Sequence, residues 1–191
     1  MLRNTAFELL EMKSTFSFKS LLCSNTLLGK EGFLTKVNAL TVFKEDPLHK
    51  KSNLLAHLAI RAKIIDITDE HCLEPAIDYH IMRIYLRTKR LLIKDNSISI
   101  ILKNNGTFTN EEINELRSFI KNTMKFTCSN FNISMANLCF VDWVLGREFC
   151  HYDNPICKMK NGDCPIIDKC DSYKIPQSEL LKEPLNNLGH Y

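Results

Sequence analysis

Four cysteines fall within one short stretch, CHYDNPICKMKNGDCPIIDKC: Cys150, Cys157, Cys164 and Cys170. Their spacing is C-x6-C-x6-C-x5-C. A structural zinc ion is usually held by pairs two to four residues apart, because a tight turn delivers two thiolates to one tetrahedral centre. No such pair occurs here. Wide gaps suit a larger group, a [4Fe–4S] cubane whose four irons each take one thiolate, with zinc as the alternative. Pro155 and Pro165 stiffen the loop, and Cys164-Pro165 repeats a step common beside cluster ligands. His151 is a spare donor, read as solvated. The other four cysteines, Cys23, Cys72, Cys128 and Cys139, are scattered and read as buried small hydrophobes.

A secreted disulfide scaffold would spread its cysteines along the chain, whereas one dense group in a reducing compartment is more often a metal site. The 191 residues allow one sizeable domain or two small lobes. The net charge of +3 excludes a polycationic tail, so any basic face must come from local clustering. No apolar run is long enough to span a bilayer. MLRNTAFELLEMK carries glutamates in its apolar stretch and no small-residue cleavage site, unlike a signal peptide. The expectation is a soluble cytoplasmic monomer.

The elements that must position these residues read as all-α. Helices are expected over residues 2–12 and 32–43. Another is expected behind Asp46 and Pro47, with Leu55, Leu58, Ala59, Ala62 and Ile65 on its inner face. Asp78 is placed to cap a helix with Ile81, Ile84 and Tyr85 on one stripe. Residues 91–103 alternate enough for a short strand or hairpin. Thr109 and Glu112 have the spacing of a capping box for a helix over about residues 110–125. Ser134 caps MANLCFVDWVL, which Gly146 ends. The expected division is a helical domain over residues 1–146, a cysteine loop over 147–172 and a loose tail over 173–191.

Two segments then carry a resemblance. LGREFC, leading into the four cysteines, resembles the end of the endonuclease III family of DNA glycosylases, within the helix-hairpin-helix superfamily. Those proteins wrap a [4Fe–4S] cluster in C-x6-C-x2-C-x5-C. The first and last gaps match, and KMKNGD stands where two residues are usual. Upstream, IDYHIMRIYLRT resembles the family segment (V/I)-D-x-H-x-x-R-x-x-x-R-T, with Asp78, His80, Arg83, Arg87 and Thr88 in step. The resemblance implies two helical lobes, a cluster on Cys150, Cys157, Cys164 and Cys170, and excision of damaged or mismatched bases from double-stranded DNA. Asp78 would stabilise positive charge developing on the sugar, while His80, Arg83 and Arg87 buttress the loop and helix.

Lys51-Ser52 in DPLHKKSNLLA resembles the Lys-Thr pair that opens the corresponding helix, most closely in archaeal oxoguanine glycosylases. Lys51 would then be the nucleophile of an AP lyase step, with Lys50 as alternate. Arg147, Lys158, Lys160 and Lys169, on or beside the loop, are candidates for phosphate contact, and Lys89 and Arg90 extend that face. The family's glycine-rich hairpin is missing, since no glycine occurs between Lys44 and Thr88. Two other readings stand beside this one: a non-catalytic iron–sulfur nucleic-acid-binding protein, and a zinc-stabilised helical interaction module.

Overall fold

The structure is a computed structural model, and it describes residues 18–44, 46, 49–160 and 162–184. The helix expected over residues 2–12 lies outside the described residues. Among those described, the chain is mostly helical and has no strand. The helices are α1 (Phe18–Leu22), α2 (Phe33–Val37), α3 (Thr41–Lys44), α4 (Lys50–Arg61), α5 (Tyr79–Arg87), α6 (Asn96–Lys103), α7 (Asn110–Phe131) and α8 (Met135–Val144). Contacts group the chain into two units. One holds residues up to Ala76 with Ile133–Ala136, and the other holds Ile77–Asn132 and everything from Asn137 onward. This grouping cuts across the boundary expected at residue 146. The cysteine loop belongs to the same unit as α5, α6 and α7. No described helix is long and apolar enough to cross a membrane.

The first unit is built around Leu27, Phe33, Val37, Ala56 and Leu73, all nearly inaccessible. The single helix expected over residues 32–43 is two short ones, α2 and α3. Asp69 ties a loop to this core, because its carboxylate accepts from the backbone N–H of Leu27 at 2.6 Å and of Leu28 at 3.2 Å. Asp46 acts on α4 as expected, though from outside the cap position. Its Oδ2 accepts from Lys51 N at 2.7 Å, and His49 takes the cap position in a left-handed conformation. Pro47 lies outside the described residues.

The inner face of α4 differs from the expectation. Ala59 and Ile65 are buried, but Leu55 and Leu58 are exposed, and Ser52, Asn53, Ala56 and His57 face inward. The reason is hydrogen bonding. Asn53 Nδ2 donates to His49 O at 2.8 Å, Glu74 N donates to Asn53 Oδ1 at 3.2 Å, and His57 Nε2 lies 2.8 Å from Glu74 O. A strap of polar side chains therefore fastens α4 to the segment at Leu73–Glu74, and small Ala56 and Ala59 let it approach.

That strap gives stability a pH dependence. Burial lowers the His57 pKa below its ordinary 6.5, against the opposing pull of its bond to Glu74 O. The unfolded chain then binds more protons than the folded one between the lowered value and about 6.5, so stability falls as pH drops through that window. His80 is also lowered by burial and adds the same sign. Urea midpoints at pH 7.5 and 5.5 should therefore differ, and His57→Gln should narrow the difference without closing it. An unchanged difference in the variant would remove His57 from the account.

In the second unit, Asp78 caps α5 as expected, its Oδ1 accepting from Ile81 N at 3.0 Å. Ile81, Ile84 and Tyr85 are buried behind it. The strand or hairpin expected over residues 91–103 is instead α6. Asp95 nucleates it by accepting from the backbone N–H of Ser97 at 2.7 Å and of Ile98 at 3.4 Å. Thr109 and Glu112 form the expected capping box, and α7 runs on to Phe131, where Asn132 closes it in a left-handed conformation. Gly146 does not end α8. The chain widens there into one π-turn, Leu145–Phe149, with Cys150 N donating to Leu145 O at 2.8 Å.

The tail is not loose as far as residue 184. Leu180 and Glu183 are buried, and Lys182 N donates to Leu102 O at 3.1 Å. Of the scattered cysteines only Cys139 is buried. Cys72 and Cys128 are half-buried and Cys23 is exposed.

Candidate metal centre and aspartate helix

The first turn of α5 sits hard against the π-turn. A Cβ on Gly146 would lie 2.5 Å from the carbonyl oxygen of His80, so only glycine permits this approach. Two arginines one helical turn apart then reach from α5 into the loop that follows. Arg83 is 2% exposed and Arg87 is 1% exposed, burial that such side chains accept only when fully hydrogen-bonded.

Arg83 donates from Nε to Cys150 O at 2.6 Å and from Nη2 to Gly146 O at 2.8 Å, and Nη2 also lies 2.8 Å from His80 Nδ1. Its Nη1 pairs with the carboxylate of Glu183. Arg87 donates from Nε to Leu181 O at 2.9 Å, from Nη1 to His151 O at 2.6 Å and from Nη2 to Tyr152 O at 2.5 Å. Its Nη1 also lies 3.3 Å from Cys150 Sγ. The carbonyl of Arg87 in turn accepts from Ser172 Oγ and faces Cys170 Sγ at 3.9 Å. His80, Arg83 and Arg87 thus brace the loop.

The four cysteines of the loop share one neighbourhood. Burial pushes the Cys157 thiol above its ordinary value, and negative charge at Cys164, Cys150 and Cys170 pushes it the same way. Cys170 is likewise raised, chiefly by burial. Yet among the described residues no three His, Cys, Asp or Glu side chains converge closely enough to hold one metal ion. A [4Fe–4S] group on Cys150, Cys157, Cys164 and Cys170 would supply a covalent staple, and the guanidinium of Arg87 beside Cys150 would offset its negative charge. The long middle gap is taken up by a tight bend. Gly162 N donates to Met159 O at 3.1 Å, and a Cβ on Gly162 would fall 1.7 Å from Ile156 O.

Comparison with protein-family models, curated proteins and solved structures gave no match.

The remaining site residues separate by environment. Lys51 stands half-buried in the first turn of α4, in the first unit, and Asp78 is in the second. Lys158 does not present a free ammonium: its Nζ donates to Tyr173 O and Ile175 O, so it clips the loop to the tail. Lys160 and Lys169 are exposed. Arg147 is exposed too, with its guanidinium 4.8 Å from the centre of the Trp143 ring and its Nε 3.2 Å from Glu148. Arg90 is not part of a basic face, since Nη1 pairs with buried Asp142 at 2.7 Å and the guanidinium covers the Tyr85 ring. Lys89 is exposed, 3.9 Å from Asp171.

Sequence reasoning missed Glu183. Burial raises its carboxyl pKa and the Arg83 charge opposes that rise. A single acid between lysine and proline in LLKEPL was the only signal.

Each phosphate neutralised on duplex DNA contributes about −0.9 to the slope of log affinity against log salt. Lys160→Ala with Lys169→Ala should therefore flatten the slope by roughly one to two units and weaken all sequences alike. Filter binding at several salt concentrations would measure it. An unmoved slope would turn this side of the loop away from nucleic acid.

Proposed function

We propose that this chain is a base-excision protein of the DNA-glycosylase type, with two helical lobes and a C-terminal [4Fe–4S] loop. It would act on damaged or mismatched bases in double-stranded DNA, as a cytoplasmic monomer. The observation that carries this reading is the pairing of the two resembling segments. Arg83 and Arg87 from one of them are buried in hydrogen bonds to the carbonyls of Gly146, Cys150, His151 and Tyr152 in the other.

In this reading the base is turned out of the duplex before its bond to the sugar breaks. Positive charge grows on the sugar as that bond lengthens, and Asp78 meets it with a carboxylate. The charge of Asp78 is steadied by the N-terminus of α5 and its direction is fixed by Ile81 N. His80 and Arg83 position that helix start against Gly146 and need not touch substrate. Lys51 is the candidate amine for attack on the sugar in a lyase step.

The non-catalytic iron–sulfur reading is favoured by one observation. With no glycine between Lys44 and Thr88, the chain lacks the usual hairpin whose backbone N–H groups approach a phosphate.

Asp78→Asn separates the two readings, because asparagine also caps helices and leaves α5 in place. Excision from duplexes carrying single oxidised or mismatched bases should fall by about 10²–10³-fold, the scale of losing one transition-state electrostatic contact. Duplex affinity should stay within about twofold, since only the transition state carries the charge. Wild-type protein that binds every duplex and excises from none would favour the non-catalytic reading. Equal excision by wild type and variant would remove Asp78 from the chemistry.

A further inference from the structure

Helix α4 carries its apolar residues on the outside. Its buried face presents Ser52, Asn53 and His57 beside the small Ala56 and Ala59, while Leu54, Leu55 and Leu58 are 46%, 36% and 53% exposed. At about 3.6 residues per turn, the three leucines and Ala62 share one stripe, opposite the strap to Glu74. Ile64, just past the helix, is 55% exposed. Aliphatic side chains left uncovered together mark a surface for a partner, unlike ones scattered singly.

Charge selects the partner. From Pro47 to Ile65 the sequence has four cations, Lys50, Lys51, Arg61 and Lys63, and no acid. They stand at the two ends of the stripe. Among the described residues neither Lys51 nor Lys63 forms an ion pair. Lys63 follows the helix in a left-handed conformation, φ 55°, where glycine is the usual residue. Its N–H donates to Ile60 O and that of Ile64 to Ala59 O, both at 2.9 Å, so the turn fixes where the lysine stem begins.

A second copy of this chain does not answer that charge, since an isologous contact sets the same cations against each other. A lipid surface answers it poorly. Helices that lie on membranes commonly carry aromatic anchors and keep their opposite face in water. Lys50–Arg61 has no Trp, Tyr or Phe, and its opposite face is buried in protein. A helix laid along the stripe, with apolar residues inward and acids beside them, satisfies both the leucines and the charge.

We propose that the outward face of α4 docks an acidic amphipathic helix of another protein, whose apolar side chains cover Leu54, Leu55 and Leu58 and whose carboxylates meet Lys51 and Lys63. The proposal does not rest on the base-excision reading.

The probes are two labelled amphipathic peptides of about 15 residues, the length at which isolated helices become viable. One is built from leucine, alanine and glutamate, and its counterpart has lysine for every glutamate. Fluorescence anisotropy with the full chain should show saturable binding, with the acidic peptide at least about tenfold tighter and its lead shrinking as salt is raised. Leu58→Ala should weaken the acidic peptide roughly tenfold through lost apolar contact. Lys63→Gly should narrow the lead by up to about fivefold, the scale of one exposed ion pair. Glycine suits the left-handed position, so the urea midpoint of that variant should not fall. Equal affinity for the two peptides, no saturable binding, or binding undiminished by Leu58→Ala overturns the proposal. Tighter binding to vesicles of equal parts phosphatidylserine and phosphatidylcholine overturns it in favour of a membrane. Dimerisation of the wild type that Leu58→Ala abolishes overturns it in favour of a second copy.

Discussion

Replacing Arg87 by Met lowers the stability of the protein by about 3–5 kcal/mol, the scale of removing one member of a buried charged network. The side chain is 1% exposed and donates to the carbonyls of Leu181, His151 and Tyr152. Methionine fills much of the volume, so the loss is not a cavity effect. It comes from three part-buried carbonyls left without this donor and from the lost contact at Cys150 Sγ. Lys89→Met, two residues away, is the control. Lys89 is exposed and 3.9 Å from Asp171, a surface pair worth less than about 1 kcal/mol. Urea denaturation of both variants measures the difference. A loss below about 1 kcal/mol for Arg87→Met would mean that the loop holds its place without the arginine.

Cys164→Ala is expected to abolish bound iron altogether. Protein prepared without oxygen should carry about four irons per chain and absorb broadly toward the blue. Cys164 is the most buried of the four loop cysteines, at 8% exposed, and lies between Cys157 and Cys170 in the sequence. In the proposed cluster, losing this corner would leave three thiolates, and metal binding and folding of such a loop are coupled. Cys128→Ala should leave iron in place, because that cysteine lies on α7 and not in the loop. Stoichiometric zinc without iron in the anaerobic wild type would replace the cluster with a single-ion site. Full iron in Cys164→Ala would take Cys164 out of the ligand set.

The sequence was most legible where one short-range rule acted alone. Asp78 before an apolar stripe and Thr109 three residues before Glu112 both predicted helix starts that the fold contains. Residues 91–103 were misread because SISII alternates like a strand, while the deciding group was Asp95, a cap outside the alternating run. The inner face of α4 was misread for a related reason. Leucines mark burial in general, but Ser52, Asn53 and His57 had long-range partners at Glu74 and local ones at His49, which no periodicity reveals. At the candidate site, the spacing of Arg83 and Arg87 announced a shared helix face. Their partners in the tail, Leu181 and Glu183, lie nearly a hundred residues away and carry no motif. Lys158 looked like its neighbour Lys160 in sequence and differs only because two tail carbonyls capture it.

The π-turn at Leu145–Phe149 dictates where this loop can change length. It places Cys150 so that the carbonyl meets Arg83 and the sulfur meets Arg87. Deleting one residue there would tighten the wide turn into an α-turn and swing all that follows by about 100°, the rotation of one helical residue. Both arginines would lose Cys150 together. The bend between Met159 and Cys164 carries no such phase, because its Gly162 closes a local turn and the chain returns to the next thiol from any loop of adequate reach. Insertions and deletions among related chains should therefore collect between Cys157 and Cys164, while the interval from Asp78 to Arg87 and the five residues before Cys150 keep a constant count.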